Sequence, residues 1–588
     1  MRKITDISEN WTYTTDTVTF FEASLPFCCN KKQLGSEIIF SKNINITDDT
    51  FLQSEIWLEI ARLTGKCRVF ADGDEVFFHT ATMNKFRCNL GRYFNTVGEH
   101  TIEIKIEPVC ENGEFFVGKA NLISVDKSHF SFDNFLGDGI HIKSFISPDG
   151  SADMHINYFV TSPNNYDVVR FTVLGKNGEE IISKTAKPTE DRCIITLAAP
   201  ELWSGQHEAY IYTLNAVILR DTVLLDEINV RFAVRNFEID KDGFFRVNTM
   251  KRFLNAVTFN SESFFDKDCE IFNFLDANTL HIRSEFFDAD VFDICDEKGV
   301  LVWFSFPCTG TEDDLVNLRE FIARNSHHPS LAFISYPIDV DTDFAKQFVK
   351  IVKDNSLCIF TAAEAQLFGE ESINDAIPDI LAFEVSGRNA TTSFSDIENR
   401  FAEWKLEHPE YRFAVFASAP ECIHDRHSVH PERNDCSQEY FALWHERLWN
   451  IFCRDSAVLG YFAGSVADTG VPGERTGFVS ADRKIKKDAI WFYKAHFSAD
   501  EFVHICSKDV EFVADKYIDV RCYSNAQPLS ILVNSKKKKK YSCEKISDGV
   551  YIFKNIKLKR RSNKIEIIAG NQSDTMEIFR SKSKLRKV

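Results

Sequence analysis

Three carboxylates, one guanidinium and a histidine-rich loop are the groups in this 588-residue chain whose placement could do chemistry. Asp339 follows the apolar run Leu331 to Tyr336, Glu384 lies in Leu381-Ala382-Phe383-Glu384-Val385-Ser386, and Glu421 follows Ala414-Val415-Phe416-Ala417-Ser418-Ala419-Pro420. Each stands at or just beyond the end of a strand-like segment, where barrels of parallel strands carry their reactive groups. With Arg283 they could line one polar cleft. Two carboxyl groups about 5–5.5 Å apart can split an acetal, one as nucleophile and the other as acid and then base. Ser418 could replace a carboxylate nucleophile only with a base and an oxyanion hole, and no nucleophile-elbow motif surrounds it. The loop Cys422-Ile423-His424-Asp425-Arg426-His427-Ser428-Val429-His430-Pro431 gathers metal-ligand types, but it has neither a CxxC pair nor a helical HExxH. No metal and no cofactor are expected from it.

These groups need elements to hold them. A chain of 67.5 kDa is too long for one core and divides into about three to five domains. Residues 1 to about 130 alternate apolar and polar, as in Ile56-Trp57-Leu58-Glu59-Ile60 and Thr101 to Ile106, with turns at Asp72-Gly73 and Val97-Gly98; this is the pattern of a β-sandwich. Strands continue over 131–236. From 237 to 500 the rhythm changes: strands such as Leu301 to Phe304 and Ala414 to Phe416 alternate with helical stretches such as Asp314 to Arg324 and Ser395 to Leu406, the pattern of a parallel sheet or barrel. Residues 501–588 return to strands.

Hydrophobic content of 44% and charged content of 27% are those of a globular protein. No apolar run reaches the roughly 18 residues that a bilayer span needs, and Met1-Arg2-Lys3-Ile4-Thr5-Asp6 lacks a signal peptide's apolar core, so no membrane partner and a cytoplasmic location are expected. The 16 cysteines show no framework spacing and read as buried thiols. The net charge of −18 hides a split: from Val503 onward there are 20 Lys and Arg against 9 Asp and Glu, +11, leaving −29 elsewhere. Lys536 to Lys540 follow the strand Leu529 to Val533 and read as a solvated hairpin turn, so no nucleic acid is expected as partner.

The chain resembles the family 2 glycoside hydrolases, which include β-galactosidases, β-glucuronidases and β-mannosidases. Arg324-Asn325-Ser326-His327-His328-Pro329-Ser330-Leu331 is similar to that family's Arg-Asp-x-Asn-His-Pro-Ser-Ile. Ala199-Pro200-Glu201-Leu202-Trp203-Ser204, Arg231-Phe232-Ala233-Val234-Arg235, the segment Asp293 to Trp303 and the segment Gly477 to Lys484 resemble further family motifs in the family's order. The resemblance implies a jelly-roll sandwich (1–130), an immunoglobulin-like sandwich (131–236), an eight-stranded (β/α) TIM barrel (237–500) and a C-terminal immunoglobulin-like domain (501–588). It also implies a carbohydrate partner, no cofactor and frequent homo-oligomers.

At the catalytic positions the sequence departs from the family. Ile338-Asp339 stands where Asn-Glu carries the acid/base, and the nucleophile Glu falls at Ala417 or Ser418. Gly464 replaces the sugar-stacking Trp, and Ser305 replaces the Glu after the third strand. Glu384 supplies a carboxyl where the family has Asn-x-Tyr. The expectation is therefore a glycosidase homologue impaired in catalysis that binds carbohydrate or serves structurally. The alternative is an active, diverged β-glycosidase of β-galactosidase or β-glucuronidase type, in which Asp339 acts with Glu384 or Glu421. Arg283, His281 and Trp303 are the candidate substrate contacts.

Overall fold

Two-residue alternation drives the first part of the chain into strands, because each buries every second side chain on one face. In this computed structural model the described residues are 1–581 except 16–17, 31–36, 48–53, 64, 80–84, 109–113, 133–138, 207, 260–265, 284–289, 357, 370–376, 388–391, 470–472 and 536–540. A six-stranded and a four-stranded sheet pack face to face, with Trp11, Phe40, Leu58 and Ile104 buried between them. The hairpin joining Lys66–Ala71 to Asp74–His79 turns at Asp72 (φ 51°) and Gly73 (φ 90°), the left-handed pair that a tight two-residue hairpin requires. A second sandwich follows, with Ile140–Ile146, Ala152–Tyr158 and Arg192–Leu197 facing a four-stranded sheet.

The centre of the molecule is a closed parallel barrel. Its strands are β1 (Leu254–Phe259), β2 (Thr279–Ile282), β3 (Leu301–Ser305), β4 (Leu331–Pro337), β5 (Phe360–Gln366), β6 (Ile380–Ser386), β7 (Arg412–Ser418) and β8 (Val458–Ser465). Alternate residues serve two cores. Leu254, Ala256, Trp303, Phe333, Ala362, Ala382, Phe416 and Phe462 fill the interior, while Val257, Leu280, Val302, Ile334, Val415 and Ala417 pack outward under the helices. The helix Glu312–Asn325 begins in a capping box, with Thr311 and Asp314 satisfying each other's backbone N–H groups.

The Arg-Asn-Ser-His-His-Pro-Ser segment belongs to the floor of this barrel, opposite its mouth. The fully buried Arg235 guanidinium donates from Nε to the Pro329 carbonyl (2.6 Å) and from Nη2 to those of His328 (3.4 Å) and Leu331 (3.5 Å). His328 Nδ1 meets Asp296 at 2.7 Å, and the same carboxylate accepts from the Ser330 N–H at 3.0 Å. Trp203 Nε1 donates to the Asp296 carbonyl (2.8 Å), tying the second sandwich to the barrel.

The last strands form two four-stranded sheets packed on each other and docked on the barrel. Tyr523 donates to Glu446 (2.6 Å), Arg521 pairs with the same carboxylate, and His504 Nε2 meets Asp488 (2.9 Å). Lys536 to Lys540 lie outside the described residues. The described cysteines are free thiols, and no described helix is long and apolar enough to cross a bilayer.

Candidate functional site

At the C-terminal ends of the barrel strands the interior changes from apolar to polar. Above Trp303, Phe333, Phe416 and Phe462 stand Thr258 of β1, His281 of β2, Ser305 of β3, Ser335 of β4 and Glu364 of β5, all on inward positions. Their hydrogen bonds run in one direction. Trp303 Nε1–H donates to Ser335 Oγ (2.8 Å), and the Ser335 hydroxyl donates to Glu364 Oε1. The Ser305 hydroxyl donates to the same carboxylate oxygen, so its Oγ is left to accept from His281 Nε2 (2.7 Å). That order assigns the imidazole proton to Nε2, and Nδ1 accepts from the Thr258 hydroxyl at 3.0 Å. Burial, then the Arg283 charge, push the His281 pKa well below its ordinary value, so the ring is neutral. It lies flat on Phe416, with centroids 4.5 Å apart at 7°.

Beyond this layer Arg283 follows β2 and donates from Nη1 to Glu384 Oε2 at 2.8 Å, while Gln366 Nε2 donates to the same oxygen at 3.2 Å. Burial pulls the Arg283 pKa down, but the Glu384 and Glu364 carboxylates outweigh it and hold the guanidinium above its ordinary value. The Arg283 side chain is 43% exposed and that of Glu384 15%, so the pair opens onto the mouth. Glu364 faces Ala382 across the β5–β6 ladder and Gln366 faces Glu384. The two glutamates thus sit one inward step apart on neighbouring strands, with about 8 Å between their Cα atoms.

No family model matches the chain. It is 19% identical over 531 residues to a β-glucuronidase of Bacteroides fragilis, covering 79% of this chain and 74% of that protein. It is also 22% identical to a putative β-glucuronidase of Formosa agariphila, covering 66% of this chain and 55% of the relative. Among solved structures, an FMN-binding β-glucuronidase from Facaelibacterium prausnitzii L2-6 superposes with a TM-score of 0.90 at 22% identity, covering 100% of this chain and 99% of that one. The chain is similar in sequence and in fold to these β-glucuronidases. Its sandwiches and closed barrel have the architecture of that group.

Within this scaffold the residues expected from sequence separate. Glu384 and Arg283 meet as an ion pair. Asp339 does not join them: it is exposed in the turn after β4 and has no hydrogen bond or ion pair among the described residues. Glu421 is half-buried in the loop beyond β7, acts electrostatically on Cys436, and makes no hydrogen bond or ion pair with Arg283 or Glu384. Ala417 packs outward under the helices and Phe416 inward, so alternation turns Ser418 into the mouth. Trp303 and His281, expected as sugar contacts, are instead fully buried as the floor beneath the polar layer. Gly464 adopts φ 113°, and a Cβ there would stand 3.0 Å from the Ala417 carbonyl oxygen; this backbone has no place for a tryptophan.

The histidine-rich loop is a clamp. His427 bonds through Nδ1 to Glu439 (2.8 Å) and through Nε2 to Asp509 of the C-terminal sheets (2.9 Å). The described residues contain a single group with metal-ligand proximity, Asp293, Asp296 and His328. Asp296 is already engaged by His328 and Ser330, and Asp293 by Arg231 at 3.3 Å, so the group is accounted for as a floor brace.

Glu364 was missed by the sequence reading. Its signal was Phe360-Thr361-Ala362-Ala363-Glu364-Ala365-Gln366, whose inward positions turn from Phe and Ala to Glu and Gln at the mouth. Its place is informative. The family resemblance put a glutamate at Ser305; the structure brings a carboxylate to Ser305 from β5 instead.

Proposed function

We propose that the barrel mouth binds a carbohydrate without hydrolysing it. The observation that carries this reading is Ser418: the inward position at the end of β7 offers a hydroxyl where a retaining glycosidase needs a carboxylate. The neighbouring groups do not repair the loss. Glu384 is committed to Arg283 and Gln366, Glu364 is held by two serines, and Asp339 stands free in solvent. The likeness to β-glucuronidases supports a sugar as ligand. One observation favours a second reading, an active glycosidase: Glu364 and Glu384 project into the same mouth from adjacent strands, and inverting enzymes hold their carboxyls about 6.5–9.5 Å apart.

Hydrolysis of a panel of 4-nitrophenyl α- and β-glycosides and glucuronides decides between them, run beside Asp339→Asn, Glu364→Gln and Glu384→Gln. The expected result is no release by the folded protein, with sugar binding seen by calorimetry. Release that vanishes in any of the three variants would establish catalysis and overturn the binding-only reading.

A further inference from the structure

Hydrogen-bonding roles at the mouth are unequally distributed. The donors of the inner layer are spent: Trp303 gives its proton to Ser335, His281 gives its own to Ser305, and both serines give theirs to Glu364. Arg283, the one cation in this arrangement among the described residues, is paired with Glu384, and Gln366 donates to the same oxygen. The acceptors are not spent. Both serines bond Oε1 of Glu364 and both partners of Glu384 bond its Oε2, so Oε2 of Glu364 and Oε1 of Glu384 accept no hydrogen bond from the described residues. The exposed Asp339 adds a third carboxylate in the next loop. An ionised carboxylate only accepts. The mouth therefore presents open carboxylate acceptors and an excess of negative charge, three carboxylates against one guanidinium whose charge is paired with Glu384.

A ligand complementary to this surface brings donors and, best, a cation. A uronic acid brings another acceptor-only anion and meets like charge, which suppresses binding. We propose that the mouth prefers a sugar carrying an ammonium group over its neutral counterpart, and a neutral sugar over a uronate. This rests on the carbohydrate-binding reading and names the sugar class for the same site. It sets this chain apart in selectivity from the β-glucuronidases it resembles.

Calorimetric titration of the full chain tests the order, using methyl β-D-glucuronide, methyl β-D-glucoside and methyl 2-amino-2-deoxy-β-D-glucoside at about pH 6, where the sugar amine and the uronate are both ionised. The amino sugar is expected to bind about tenfold or more tighter than the uronate, with the neutral glycoside between them. Glu384→Gln removes one charge and frees Arg283, and should cut that preference about tenfold, mainly by raising uronate affinity. Asp339→Asn, in an exposed turn where the side chain makes no hydrogen bond or ion pair among the described residues, should lower it in the same direction. A uronate bound as tightly as the amino sugar, or a preference unchanged in both variants, would overturn the inference and leave carbohydrate binding standing. Failure of all three sugars to bind would overturn both together.

Discussion

Replacing Glu364 by alanine should destabilise the barrel far more than the same change at Glu384, although both are glutamates at one mouth. Glu364→Ala removes the acceptor for two hydroxyls, those of Ser305 and Ser335. Hydrogen bonds to a charged acceptor contribute about 1.5–3 kcal/mol each. Ser335 is fully buried, and its remaining acceptors are the long contacts to Ser305 Oγ at 3.3 Å and the Phe304 carbonyl at 3.5 Å, so it keeps little in exchange. Ser305 is only half-buried and can turn to water, and removing a partly buried carboxylate relieves some desolvation. The net loss comes to about 2–4 kcal/mol. Glu384→Ala breaks an ion pair whose arginine is 43% exposed, a change of about 0–1 kcal/mol. For a unit of this size the first corresponds to roughly 5–10 °C in the barrel's calorimetric transition and the second to about 3 °C or less. Glu364→Gln keeps an oxygen for both hydroxyls and loses only the charge, so it should fall between them. Equal shifts in the two alanine variants would show that the directed network ending on Glu364 does not hold the mouth together.

Two further outcomes follow from the same geometry. Burial pushes the His427 pKa down, but its hydrogen bonds to Asp509 and Glu439 lift it to about 10. A raised folded-state pKa stabilises fully below the ordinary histidine value and is lost as pH rises toward 10, while the depressed carboxylates of Glu439 and Asp509 lose their share in acid. His427→Gln should therefore lower the unfolding midpoint most near pH 5–6 and little near pH 10; a pH-independent difference in differential scanning calorimetry would contradict the clamp. Gly464→Ala puts a Cβ at φ 113° and 3.0 Å from the Ala417 carbonyl, and should cost about 1–3 kcal/mol, read as a lower urea midpoint; an unchanged midpoint would mean that the end of β8 relaxes freely.

What sequence could reveal here divides along the barrel axis. The alternation at Thr101 to Ile106 and the βα rhythm after Gly243 are local patterns, and each produced the expected element because one strand or helix decides which of its faces is buried. The Arg324 to Leu331 motif was legible for a different reason. Its backbone carbonyls receive the fully buried Arg235 guanidinium and its His328 meets Asp296, so the fold itself demands those residues at the floor. The mouth carries no such demand, and there the reading fell short. Asp339 and Glu421 sit in loops whose direction the sequence does not encode, while Glu364 takes its role from Ser305 and Ser335 on two other strands. Trp303 looked like a sugar platform because tryptophan often is one; one inward step lower in the barrel, it becomes the floor that donates to Ser335. Floor chemistry is thus fixed by folding, and mouth chemistry is free to change. That asymmetry explains how a chain can retain the scaffold motifs of a glycosidase while its β7 strand ends in Ser418.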